Sequence, residues 1–149
     1  MKIIVQILGY IFFPVLLFAQ LPSLEASLSM SWEQNQQWLL TLKTQEKPLQ
    51  WKMITARYFK NRTIRTDETP SLYTPLLIIN GLLMSITEST SEDTKNKLLT
   101  LLTEDKIGEI KVIEKQPENL YIEKQFTGFI LISVNDKKTS RTLKKIKTD

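Results

Sequence analysis

Any chemistry in this chain must come from carboxylates, amines, hydroxyls and amides, because the sequence contains neither histidine nor cysteine. Ser-His-Asp and Cys-His nucleophiles, His- or Cys-ligated zinc, and haem or iron–sulfur ligation are thereby excluded. Disulfides are excluded too, so stability rests on burial, and cysteine usage indicates no redox compartment. Two adjacent acid pairs, Glu92-Asp93 and Glu104-Asp105, come nearest to the paired carboxylates of a glycosidase. Neighbours on a helix point about 100° apart, and acids favour helix starts and solvated loops, so both pairs read as structural. Ser85 and Ser133 occur in no nucleophile-elbow context, and Ser91-Glu92-Asp93 lacks the alternating oxygen ligands of a calcium loop. No catalytic residue, metal ligand or cofactor is assigned, and the chain is read as a non-enzyme.

The elements that would carry any functional surface follow from the hydrophobic pattern. At 149 residues, with 42% hydrophobic and 24% charged residues and only 4 Gly and 6 Pro, the chain has material for one packed domain. Pro75 leads into Leu76-Leu77-Ile78-Ile79, a short apolar run stopped at Asn80-Gly81, which predicts a strand buried on both faces. Ser89-Thr90-Ser91-Glu92 is a capping signature, and Leu98, Leu99, Leu101 and Leu102 recur at helical spacing, which predicts a helix from about Ser91 to Thr103. Ile107, Ile110, Val112 and Ile113 mark a second strand, Pro117 opens a short helix through Ile122, and Phe129–Val134 is the last strand. The fold class is therefore α+β, a small sheet covered by helices.

Residues 38–59 admit two readings. Trp38, Leu40 and Leu42 alternate, as do Leu49, Trp51 and Met53, which suits a hairpin of half-buried strands. Leu49–Phe59 also fits a helix opened by Pro48, with Trp51, Ile54 and Tyr58 on one side. The pattern does not separate them. All three tryptophans, Trp32, Trp38 and Trp51, lie in or beside this region and are read as core and rim packing rather than ligand stacking.

Met1-Lys2 precedes seventeen uncharged residues ending at Ala19, the order of a signal peptide, with cleavage expected after Ala19 and an uncleaved membrane anchor as the alternative, since about 17 residues is the lower limit for a span. The chain is accordingly expected to be exported, to the periplasm or the outer membrane. At the other end, Lys137, Lys138, Arg141, Lys144, Lys145 and Lys147 stand against a single acid, Asp149. With no aromatic residue among them to stack bases, they are read as a solvated, frayed tail over residues 135–149 and not as a nucleic-acid site.

Three blocks in this order of elements resemble the plug domain of TonB-dependent outer-membrane receptors, in particular SusC-like receptors of the Bacteroidetes type. Pro75-Leu76-Leu77-Ile78-Ile79-Asn80-Gly81 is similar to the family's P-L-x-x-[IV]-[DN]-G, and Ile107–Lys115 to its I-x-x-I-x-V-[IL]-K. Leu120-Tyr121 and Gly128-Phe129-Ile130-Leu131-Ile132-Ser133 correspond to the closing L-Y-G and G-V-I-x-I-[ST], with Ile122 standing where the family has glycine. Ile64-Arg65 echoes an upstream I-R pair. The resemblance implies a small mixed sheet with covering helices over residues 64–134, preceded by a signal peptide at 1–19 and an N-terminal segment at 20–63. The fifteen residues after Val134 supply no barrel, which takes at least eight strands of about 9–11 residues.

What the resemblance implies is a plug-like binding or adaptor module linked to TonB-dependent transport. Its expected partner is an outer-membrane receptor or another envelope protein, and no small-molecule substrate is singled out. The alternative is an orphan structural remnant of such a receptor, without a partner of its own. Interaction candidates are Asn80, Gly81, Leu83 and Met84 around the first turn, Tyr121 and Gly128 at the later joints, and the exposed edge of the sheet. Leu82, Leu83 and Met84 are open to two readings, core or exposed patch.

Overall fold

Ser31 starts the first helix with a reciprocal cap: its hydroxyl accepts from the Gln34 amide at 3.3 Å, and the Gln34 side chain accepts from the Ser31 amide at 3.2 Å. A computed structural model describes residues 27–60, 73–120 and 125–146. The expected signal peptide, Ile64-Arg65 and Tyr121 lie outside them. Helix α1 spans Trp32–Thr44 and buries Asn35, Trp38, Leu39 and Leu42, the i, i+3, i+4, i+7 stripe of a helix against a core. Helix α2 spans Lys47–Tyr58, with Pro48 in its first turn where the missing amide proton costs nothing.

Both apolar segments of residues 38–59 are thus helical, and the hairpin reading falls. Leu40 shows why the alternation misled: it is 45% exposed on the outer side of α1, while its neighbours Leu39 and Leu42 are sealed. Alternation over five residues coincides with part of a 3.6-residue period, and Asn35 belongs to the buried stripe although it is polar.

Four strands form one mixed sheet in the order β2-β1-β4-β3, with β1 at Leu76–Ile79, β2 at Leu82–Met84, β3 at Ile107–Ile113 and β4 at Phe129–Val134. Strands β1 and β4 run parallel, with Leu77 beside Ile130, and β3 is antiparallel to β4, with Val112 beside Ile130. The three expected strands therefore share one sheet. Asn80 (φ 49°) and Gly81 (φ 76°) make the two-residue link from β1 to β2, and positive φ at both central positions suits the twist of a tight hairpin. One extra residue in β3 between Ile107 and Ile110 makes a bulge, where the Glu109 amide donates to the Ser133 hydroxyl at 2.7 Å.

The strands alternate rather than burying both faces. In β1 Leu77 and Ile79 are sealed while Leu76 is exposed and Ile78 half-buried, and β4 buries Ile130, Ile132 and Val134 alone. That inner face meets Leu39 and Leu42 of α1 and Met53 and Ile54 of α2 in a single core. Helix α3, Glu92–Leu101, follows its Ser91 cap but is not the sheet's main cover: α1 and α2 pack on β3, and α3 meets the last helix.

That last helix, α4 at Lys137–Leu143, replaces the frayed tail expected from composition. The Asp136 carboxylate accepts from the amides of Lys138 (3.3 Å) and Thr139 (2.8 Å), and Leu143 is 1% exposed in the core. Thr139, Leu143 and Ile146 follow helical spacing, a weak apolar signal that the surrounding lysines mask. Pro117 begins only a turn, closed by the Leu120 amide on the Pro117 carbonyl at 3.0 Å, rather than the helix expected there; residues 121–124 lie outside the description.

Candidate interaction surface

The hairpin β1–β2 divides its residues by pleat. Leu77 pairs with Met84 and Ile79 with Leu82 on the inner face, while Ile78 pairs with Leu83 on the outer one. Met84 is 6% exposed and belongs to the core, whereas Leu83 is 55% exposed. Both readings of Leu82–Met84 are therefore met, each by a different residue. Leu76, at 42% exposure, shares the outer face with Ile78, and in register beside them β4 adds Leu131 and Phe129. Beyond β4, Lys111 and Ile113 of β3 complete the rows. The result is an apolar strip across all four strands, interrupted by a single lysine. Phe126 packs edge-on against Phe129 with ring centroids 4.8 Å apart and closes one end of the strip.

Asn80 and Gly128 hold this surface from beneath. The Asn80 side chain accepts from the Val134 amide at 2.8 Å and donates to the Ser140 hydroxyl at 2.6 Å, joining the turn to β4 and α4. Gly128 has φ 102°, and a Cβ there would collide with the Leu39 side chain of α1. Gly81 sits at the exposed tip of the turn with open space around it. Of the interaction candidates named from sequence, Leu83 and Gly81 reach solvent on the hairpin, while Met84 and Gly128 serve packing.

The groups with potential chemistry are engaged in structure. Glu92 pairs with Lys95 at 3.1 Å and Asp93 with Lys97 at 2.6 Å, all on α3. Asp105 lies in the 3-10 turn Glu104–Lys106, its pKa lowered chiefly by a hydrogen bond from the Thr103 hydroxyl. Among the described residues no cluster of acids could hold a metal ion. A hollow of about 400 Å³ between α2 and that 3-10 turn is lined by Pro48, Leu49, Trp51, Lys52, Thr55 and Glu104.

The least expected electrostatic feature is Arg57, fully buried in α2. Its Nε donates to the Leu28 carbonyl (3.1 Å), and one terminal nitrogen donates to Asn35 Oδ1 (2.9 Å) and the Tyr73 carbonyl (3.2 Å). Its guanidinium lies over the Trp38 ring at 4.4 Å. Desolvation lowers its pKa to about 10, and among the described residues the other terminal nitrogen has no hydrogen-bond partner. Asn35 in turn donates to the Thr127 carbonyl at 2.8 Å, so one buried polar chain links α1, α2, the Leu28–Met30 segment and the loop before β4. Nothing in the local sequence marks Arg57 as buried; only its i+3 and i+4 relation to Ile54 and Met53 on the inward side of α2 hinted at it.

Among the described residues no helix is long and apolar enough to cross a membrane. Compared with known proteins, the chain matches no family model, no curated protein and no solved structure.

Proposed function

We propose that this chain is an exported, plug-like binding module that engages an outer-membrane receptor or another envelope protein through the outer face of its sheet. The observation that carries the reading is the strip formed by Leu76, Ile78 and Leu83 with Leu131 and Phe129. Two of its leucines are 42% and 55% exposed and stand on adjacent strands. Scattered exposed leucines need no explanation, but apolar residues contiguous across a sheet are the kind of surface that partners cover. Among the described residues β2 is an edge strand of the sheet and continues the strip, the position at which strand addition occurs. The resemblance of the three blocks to receptor plugs supports the same class of partner.

The test is recovery of an envelope protein by the tagged chain, repeated with Leu76→Ser/Leu83→Ser. The expected outcome is one receptor-class protein captured by the wild type and lost with the double variant, at an unchanged unfolding midpoint. Recovery that survives both substitutions, or no recovery at all, overturns the reading and leaves the orphan remnant.

A further inference from the structure

We propose that α4 is a preformed cationic contact for an anionic lipid surface. The residues from Lys137 to Asp149 hold six basic side chains and one acidic, a net of +5, which leaves −1 for the preceding residues of a chain whose total is +4. The whole positive excess therefore lies on and just after α4. Lys137, Lys138, Arg141, Lys144 and Lys145 are all exposed, and among the described residues none is in an ion pair. At about 100° per residue these five fall within an arc of about 120°, while Thr139, Leu143 and Ile146 occupy the opposite side. Past the helix end the chain tightens into a 3-10-type turn, the amides of Lys145 and Ile146 donating to the carbonyls of Thr142 and Leu143 at 2.9 and 3.1 Å, and at about 120° per residue Lys144 and Lys145 still fall on the same side.

The arc is fixed, unlike a loose basic tail. The Asp136 cap, the Asn80–Ser140 hydrogen bond and the sealed Leu143 hold α4 on the fold, so binding has no helix to order. A single convex stripe backed by protein along its length suits a plane of headgroups. Neither an aromatic nor an amide side chain lies on the arc to stack on or read a base. Leu143 anchors α4 in the core and none of the five basic residues belongs to the outer strip, so the proposal stands independently of the protein-partner reading.

Full-length protein mixed with phosphatidylcholine vesicles, with or without added phosphatidylglycerol, tests this. At low salt the expected preference for the anionic vesicles is on the order of 100-fold, closing at high salt. K137Q/K138Q/R141Q/K144Q/K145Q should lose the preference with its circular dichroism unchanged; the smaller K138Q/R141Q/K145Q should lose most of it. A charge-matched control, K52Q/K60Q/K97Q/K111Q/K115Q, should keep it. Equal loss in the control, no wild-type preference, or tighter retention by heparin or duplex DNA than by anionic vesicles would overturn the proposal.

Discussion

Burying a guanidinium away from any carboxylate is unfavourable unless its donors are used and its face is covered. Arg57 meets most of that condition: its Nε and one terminal nitrogen donate to two backbone carbonyls and the Asn35 amide oxygen, and the Trp38 ring covers its face, while the other terminal nitrogen has no partner among the described residues. Tyr58, its sealed neighbour, donates to the Pro75 carbonyl at 2.8 Å, and burial pushes its phenol above the ordinary value of 10.0. The two groups act oppositely at alkaline pH. A phenol whose folded pKa is raised contributes stability that is complete below pH 10.0 and lost as pH climbs above it. Arg57, lowered from 12.5 to about 10, penalises folding at neutral pH, and that penalty is relieved across the same interval. Tyr58→Phe should therefore cost about 1–2 kcal/mol at about pH 8, and the gap to wild type should close by about 1 kcal/mol or more at about pH 11. Urea unfolding at the two pH values measures this; a gap that widens would contradict the burial of Tyr58.

At the scale of elements, two glycines with positive φ separate torsional from steric cost. Gly81 has no atom near its missing Cβ, so Gly81→Ala carries only the torsional cost, about 1 kcal/mol. Gly128 adds a collision with Leu39, so Gly128→Ala should cost about 2–4 kcal/mol by the same denaturation measurement. Equal costs would show that α1 yields to the added methyl group. Helix α4 shows how a cap and one apolar anchor order a short element. Asp136 titrates below the ordinary aspartate range, held there chiefly by hydrogen bonding from the Thr139 hydroxyl. Its contribution is thus complete above pH 3.8 and fades only as pH falls through the lowered value.

For the molecule as a whole, the sheet separates an inner face that holds the fold together from an outer one left available. Met84→Ala should destabilise by about 2–3 kcal/mol, since it empties a core position, while Leu83→Ser should stay within about 0.5 kcal/mol. The unfolding midpoints of the two variants decide the assignment: a comparable loss at Leu83 would place it in the core and remove the surface proposed for binding. The molecule then carries two surfaces of different chemistry, an apolar strip on the sheet and a cationic arc on α4.

Strands β1 and β4 were legible in sequence because aliphatic runs ending at Asn-Gly or Asn-Asp have few alternatives, and α3 because Ser91 and its leucines agree in period. Local pattern could not choose between helix and hairpin for residues 38–59, where a short alternation fits both periods until Leu40 is seen to face outward. It could not foresee α4 either, whose lysine-rich composition hides the Thr139, Leu143 and Ile146 spacing. The residue order alone determined the absence of thiol and imidazole chemistry and the position of three of the four strands, β2 being the one it left unassigned. Tertiary structure decided which side of each strand faces water, that Arg57 is enclosed and that Leu83 is not, because burial depends on partners far along the chain.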